Sequence, residues 1–157
     1  MTAGAIAIRA VGPEAAATLA AVEAASFDAP WTADALRGLF GDGLTHGWVA
    51  TRGDVAVGSA VVRLVAGEGE ILRLAVADAY RRQGIATRLL QVVMSAIADA
   101  CPRGVYLEVR DSNVAARRLY ERGGFVECGR RRGYYRSPRE DAVLMRWPPA
   151  TGDSVEA

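Results

Sequence analysis

Lysine is absent from this chain of 157 residues, and all 19 of its basic residues are arginine. Without lysine the chain cannot form a phosphate-binding P-loop, a Schiff base or a serine–lysine pair. Histidine is nearly absent as well, because His46 is the single one. One histidine excludes a histidine-rich metal site, and we expect no bound metal. His46 precedes the apolar residues "WVA", and we interpret it as a polar residue where a strand begins.

Cysteine, net charge and long apolar runs are also scarce. The two cysteines, Cys101 and Cys128, are far apart in the sequence, which favours buried free thiols in a reducing compartment over a disulfide framework. The formal net charge is only +1, so no overall field favours nucleic acid or a membrane as partner. No apolar run has the length of a membrane span, and the opening residues "MTAGAIAIRA" include no basic leader. We therefore expect a cytoplasmic protein.

The pattern of apolar residues predicts one α/β domain over residues 1–147 and a disordered tail over 148–157. Short links with turn residues join three successive strands, which predicts an antiparallel meander. The complete order predicts a mixed, mostly antiparallel sheet flanked by about four helices. The predicted elements, in chain order, are a strand at 5–10, helices at 13–25 and 32–40, strands at 46–52, 55–66 and 68–76, a helix at 84–100, a strand at 104–109, a helix at 113–122 and strands at 124–130 and 141–147.

The stretch "YRRQGIATRLLQVV" joins a strand to an amphipathic helix through a basic loop. A helix N-terminus offers unpaired N–H groups and partial positive charge, which favour phosphate. Gly84 would let the backbone approach a ligand closely, and Arg81 and Arg82 add full charges beside it. These residues alone leave two interpretations open: a site for a phosphate-bearing ligand, or a turn glycine beside solvated arginines. A Rossmann dinucleotide site is excluded because its G-x-G-x-x-G pattern is absent.

Two motifs resemble those of the GNAT acetyltransferases. The loop "RRQGIA" is similar to their pyrophosphate loop, patterned Q/R-x-x-G-x-G/A, with Arg81, Gly84 and Ala86 at its fixed positions. The stretch "NVAARRLYERGGF" resembles a later helix of the family, patterned N-x-x-A-x-x-x-Y-x-x-x-G-F. The residues that fit this second pattern are Asn113, Ala116, Tyr120, Gly124 and Phe125.

Within that superfamily the likeness is nearest to the bacterial ribosomal-protein alanine N-acetyltransferases. Four stretches carry it: "FDAPWT", "LEVRDSN", "RRRGYYR" and "REDAVLMRW". The likeness covers about residues 6–147. One departure is Arg73, which stands just before "LAV" where the family pattern leads us to expect a small polar residue.

The resemblance implies a single-domain GNAT fold whose sheet splays open between its fourth and fifth strands. The pantetheine arm of acetyl-CoA would enter there and pair with the backbone of the fourth strand, and its pyrophosphate would lie on the basic loop. No metal is implied. The cofactor-binding residues that the resemblance implies are Leu74, Ala75, Val76, Arg81, Arg82, Gln83, Gly84, Ile85, Ala86, Thr87 and Asn113.

Two residues are candidates for the chemistry. Glu108 lies mid-strand in "VYLEV", on the face opposite three apolar residues, and the residues alone favour a solvated glutamate paired with Arg110. The resemblance instead implies that Glu108 is the proton acceptor. Tyr120 lies two helical turns after Asn113, where a tyrosine packed near the core is the ordinary interpretation. The resemblance implies that Tyr120 donates a proton to the departing CoA thiolate.

The arginine-dense stretch "GRRRGYYRSPRED" allows three interpretations. Arginine and tyrosine side chains could bind RNA, or the stretch could be a solvated loop between two strands. The resemblance favours the third, in which Tyr134 and Tyr135 border the slot of an acceptor peptide together with Pro30 and Trp31.

The resemblance thus predicts an acetyl-CoA-dependent N-acetyltransferase that acts on a protein N-terminal α-amine. The expected acceptor is an alanine of a small-subunit ribosomal protein. One alternative is an acetyltransferase for a different protein or a small-molecule amine. The other is a CoA-binding or RNA-binding module without catalysis, which would need neither Glu108 nor Tyr120.

Overall fold

The computed structural model describes residues 4–148, so the predicted tail over 148–157 lies outside the described residues apart from Pro148. No helix within this range combines the length and the apolar content needed to cross a membrane. The strands are β1 (Ile6–Val11), β2 (Thr45–Arg52), β3 (Val55–Val65), β4 (Glu68–Val76), β5 (Val105–Arg110), β6 (Val126–Arg136) and β7 (Arg139–Trp147). The α-helices are α1 (Ala16–Ala24), α2 (Ala33–Phe40), α3 (Ile85–Ile97) and α4 (Val114–Arg122), with 3₁₀ turns at Pro13–Ala15, Asp78–Tyr80 and Ala98–Ala100.

The strands form a 7-stranded sheet in the order β1-β2-β3-β4-β5-β7-β6. Every neighbouring pair is antiparallel except β4 and β5. These two run parallel and pair only near their beginnings, where Gly69 lies beside Val105 and Glu70 beside Tyr106. Beyond that point β4 continues to Val76 without β5 beside it. The predicted mixed sheet, splayed between its fourth and fifth strands, is therefore confirmed.

Helices cover both faces of the sheet at its centre, so β2 and β3 are buried on two sides, whereas the edge strands β1 and β6 are not. On one face α3 packs Leu89 and Val93 into a core that includes Leu107 of β5. On the other face α1 and α2 pack Leu19 and Leu36 against strand residues of the sheet centre. This layering leaves the splayed ends of β4 and β5 between the two helical layers.

The final hairpin is longer than predicted. The stretch 131–140, for which a solvated loop was one interpretation, extends β6 to Arg136 and begins β7 at Arg139. Its strand character was hidden because β6 is an edge strand, and an edge strand needs no alternating apolar pattern.

The exposure of β6 also explains a difference from the prediction for the cysteines. Cys101 is buried as expected, whereas Cys128 on β6 is exposed.

Candidate active site

The entrance to α3 is an open helix end. Gly84, at its N-cap, has φ +79°, and a Cβ built there would meet no atom within 4 Å. No side chain caps this helix, whereas Thr32 caps α2 and Asn113 caps α4 by accepting a hydrogen bond from a first-turn N–H. The first N–H groups of α3 are thus free for a ligand, and with the helix dipole they favour an anion.

A cleft of about 600 Å³ opens in front of this helix end. It lies between the end of β4, the basic loop, the first turn of α3 and the inner side of α4. Ten of the eleven predicted cofactor-binding residues line it, and their binding role stays a prediction. Gln83 is exposed and lies outside the lining. The predicted residues that line the cleft are Leu74, Ala75, Val76, Arg81, Arg82, Gly84, Ile85, Ala86, Thr87 and Asn113.

The Arg81 side chain ties the basic loop to the rest of the fold. Its Nε donates to the Val76 carbonyl at 3.1 Å, and its Nη2 donates to the Ser26 carbonyl at 2.9 Å. Its Nη1 also lies 2.7 Å from Oδ1 of Asp78. The guanidinium therefore holds the loop against β4 and the end of α1, a positioning role that the sequence analysis did not predict.

Tyr120 and Asn113 face the cleft from α4. Tyr120 is 7% exposed and packs edge-on against Phe125, with ring centroids 5.6 Å apart. Burial raises the pKa of its phenol, so the hydroxyl stays protonated and able to donate. Oδ1 of Asn113 accepts the Ala116 N–H at 3.1 Å, which leaves its amide NH₂ group for a ligand. Asn113 thus combines capping with a place in the cleft wall.

Glu108 does not line the cleft. It lies on the face of β5 opposite Leu107, which packs into the α3-side core. Its side chain is 23% exposed, and Oε2 lies 3.0 Å from Nε of Arg131. The alternative pairing with Arg110 is wrong, because Arg110 donates instead to Oε1 of Glu140 at 3.1 Å. Arg131 is 59% exposed, so this ion pair contributes at most about 1 kcal/mol, and an incoming ammonium group could displace it.

Tyr134 and Tyr135 lie beside Glu108 because of an irregularity in β6. The register with β7 shifts between Arg131 and Tyr135, and Gly133 adopts φ +58° there. Their ring centroids are 5.1 Å apart although consecutive strand residues ordinarily point to opposite faces. The negative charge of Glu108 is the main reason that the pKa of Tyr134 is raised. The pKa of Tyr135 is also raised, mainly by burial. The two tyrosines and Glu108 therefore form one cluster.

Trp31 lies in the segment between α1 and α2, and Glu23, which was not among the predicted site residues, holds it there. The Trp31 N–H donates to Oε1 of Glu23 at 2.8 Å, and Glu23 is 1% exposed. Pro30 beside it is exposed. A sequence signal for Glu23 did exist, because it falls on the apolar stripe of α1 with Leu19 and Val22. A charged residue on such a stripe indicates a specific buried partner.

The arrangement offers three chemical capabilities. The α3 entrance can bind an anion, a carboxylate on β5 can accept a proton, and a protonated phenol in the cleft can donate one. Within residues 4–148, no group of three or more histidine, cysteine, aspartate and glutamate side chains is placed to hold a metal ion.

Comparisons with known proteins find chains that are similar in sequence and in fold. A Bacillus subtilis relative, named as a candidate ribosomal protein bS18-alanine N-acetyltransferase, is 30% identical over 79% of this chain and 83% of its own length. The Escherichia coli (strain K12) ribosomal protein bS18-alanine N-acetyltransferase is 38% identical over 57% of this chain, and the matched part spans only 62% of that relative. The crystal structure of the ribosomal-protein-S18-alanine N-acetyltransferase from Escherichia coli superposes with a TM-score of 0.83 at 28% identity. That match covers 90% of this chain and 92% of the other. Residues 16–125 match the acetyltransferase (GNAT) family, and the chain therefore belongs to it.

Proposed function

We propose that this protein transfers the acetyl group of acetyl-CoA to the N-terminal α-amine of a protein. The proposed acceptor is the N-terminal alanine of a small-subunit ribosomal protein in the cytoplasm, because relatives with that named activity match the chain. The observation that carries the proposal is the parting of β4 and β5. An uncapped helix end follows β4, and a partly buried carboxylate lies on β5.

The fit of acetyl-CoA rests on the open space at the α3 entrance. A Cβ at Gly84 would stand in empty space, and the first-turn N–H groups have no side-chain cap, so a pyrophosphate can approach them. The end of β4 lacks a strand neighbour on its β5 side, so Leu74, Ala75 and Val76 can offer backbone groups to the pantetheine amides. Arg82 to Thr87 form the cradle, and the Asn113 NH₂ group adds a donor.

Acetyl-CoA supplies an activated thioester as the electrophile. A protein α-amine has a pKa of about 7.7–8.0, so roughly a tenth is neutral near pH 7. Glu108 accepts the proton, directly or through water, as the nitrogen bonds to the carbonyl carbon. Tyr120 donates to the sulfur as the carbon–sulfur bond breaks. Solvent then takes the proton from Glu108 and returns one to Tyr120.

The acceptor is proposed to lie across the Glu108 cluster. Tyr134 and Tyr135 on one side and Pro30 and Trp31 on the other would border a peptide backbone. The exposed Arg131 pair is weak enough to open when the amine arrives.

The proposal is tested with acetyl-CoA and a panel of peptides whose products are read by mass spectrometry. The panel contains peptides that begin with alanine, serine or glycine, and a lysine-containing peptide whose α-amine is blocked. We expect modification of the α-amine of the alanine peptide and none of the blocked peptide. Modification of small amines alone would favour the small-molecule alternative, and acetyl-CoA binding without any product would favour a binding module.

A further inference from the structure

Arg73 lies on β4 at the point where that strand meets the segment 23–31, which runs from α1 towards α2. Its guanidinium carbon is 4.5 Å from the ring centroid of Phe27 and 4.3 Å from that of Trp31. Its Nη2 donates to the Ala29 carbonyl at 3.3 Å, and its Nε lies 3.1 Å from Oε2 of Glu23. One side chain therefore contacts this segment at four places.

Glu23 anchors the segment from inside the fold. Its carboxylate is almost fully buried, and one oxygen accepts the Trp31 N–H. The other oxygen, Oε2, lies at ion-pair distance from Arg73 Nε, but neither of these two atoms makes a hydrogen bond. A buried carboxylate without a counter-charge is costly. The Arg73 charge therefore stabilises the state in which Glu23 holds Trp31.

A β-bulge places Arg73 on this side of the sheet. The register between β3 and β4 leaves Leu72 as an extra residue. Ile71 and Leu74 both pack into the α3-side core, although residues three apart in a regular strand face opposite sides. The bulge between them thus turns Arg73 away from α3 and towards the segment 23–31.

We propose that Arg73 is a positioning residue that fixes Pro30 and Trp31 for acceptor binding, an inference that rests on the proposed function. Arg73 directly precedes Leu74, the first of the residues proposed to pair with pantetheine. The same strand would therefore set both the cofactor position, through its backbone, and the wall of the acceptor slot, through this side chain. Loss of Arg73 should weaken acceptor binding and leave cofactor binding intact.

The first test measures steady-state kinetics with an N-terminal alanine peptide. Arg73→Gln is expected to raise the peptide KM roughly tenfold, which corresponds to the loss of two stacked cation–π contacts. We expect kcat and the acetyl-CoA KM to stay within about threefold. Arg73→Lys keeps the charge near Glu23 without the planar stack and should recover part of the loss. Arg63→Gln, which removes a partly exposed arginine of β3 that pairs with Asp42, is the matched control.

A double variant serves as the control for a loss of stability. Glu23→Gln combined with Arg73→Gln removes both charges and keeps an acceptor for the Trp31 N–H, so no unpaired carboxylate is buried. This variant should fold and still show the raised peptide KM. A normal peptide KM in both Arg73→Gln and the folded double variant would overturn the proposal. A parallel rise in the acetyl-CoA KM would overturn it as well, because Arg73 would then act on the cofactor cleft, which Phe27 lines together with the end of β4.

The second test does not depend on catalysis. Hydrogen exchange read by mass spectrometry should be faster in the segment 23–31 of Arg73→Gln than in the wild type, with the α3 peptides unchanged. Unchanged exchange in that segment would overturn the proposal. If the wild type acetylates no peptide, the proposed function fails, and this exchange comparison still decides whether Arg73 holds the segment.

Discussion

The two sides of the opening between β4 and β5 differ in the chemical groups that form them. On the proposed cofactor side the cleft wall includes large side chains such as Tyr80 and Arg82, but the groups proposed to hold acetyl-CoA are mainly backbone groups of β4 and of the α3 entrance, as at Ala75 and Gly84. On the proposed acceptor side the wall would consist of long charged and aromatic side chains from separate strands, such as Glu108 on β5 and Arg131 on β6. A backbone site should fail when volume or charge is added to it. A side-chain site should fail when a single functional group is removed.

The largest effect is expected from Gly84→Glu, which adds both volume and charge to the cofactor side. The new side chain would fill the space in front of α3 and place a negative charge beside the pyrophosphate. We expect acetyl-CoA binding to fall below detection by calorimetry while the fold persists. Gly84→Ala is the matched control, because it carries the same left-handed strain of about 1–2 kcal/mol with a minimal side chain. Unchanged affinity in folded Gly84→Glu would contradict the cradle.

The next largest effect is expected from Glu108→Gln, which removes one functional group from the acceptor side. Turnover should fall by roughly 10²–10⁴ while acetyl-CoA affinity is unchanged. The deficit should shrink as the pH rises past the acceptor amine's pKa of about 7.7–8.0, because the amine then arrives without its proton. Glu68→Gln, an exposed glutamate on β4, is the control. A deficit that stays constant to high pH would indicate a positioning role for Glu108.

The contrast between a backbone site and a side-chain site also explains how much of the fold and of the site could be predicted from the sequence. The open helix end was one of two interpretations that the local pattern allowed, because a strand, a basic loop and a helix start follow one another in the sequence. The family resemblance then favoured the cradle, whose binding role stays a prediction. The acceptor cluster was predicted only in part. The pairing of Glu108 with Arg131 depends on the register of three strands, and the stacking of Arg73 depends on a bulge that no local pattern indicates. The final hairpin was misjudged for a related reason, since its edge strand carries little apolar alternation.

Tyr120→Phe should have a smaller effect, because the phenol is proposed to act late in the reaction, on the leaving group. Burial raises the Tyr120 pKa, so the group stays protonated over the working range of pH and no activity loss from its ionisation is expected below about pH 10. We expect turnover to fall roughly 10- to 100-fold, at or below the lower end of general acid catalysis. Acetyl-CoA affinity should stay within a few-fold, since the ring still packs on Phe125. Tyr106→Phe on β5, outside the cleft, is the control; a collapse of affinity in Tyr120→Phe would make Tyr120 structural.

The smallest effect concerns Asn113, where a side chain serves the cofactor side. Its Oδ1 caps α4, and its NH₂ group is proposed to contact the cofactor. Asn113→Ala should lower the free energy of unfolding by about 1 kcal/mol and weaken acetyl-CoA binding several-fold. Thr32→Ala, which removes the cap of α2 away from the cleft, should cost similar stability with no change in affinity. Asn113→Asp separates the two roles, because aspartate still caps the helix but replaces the donor with a negative charge. Thermal unfolding with calorimetry on the three variants measures both quantities. If Asn113→Asp kept normal affinity, Asn113 would be a cap alone, and the cofactor side would be built from backbone without that side chain.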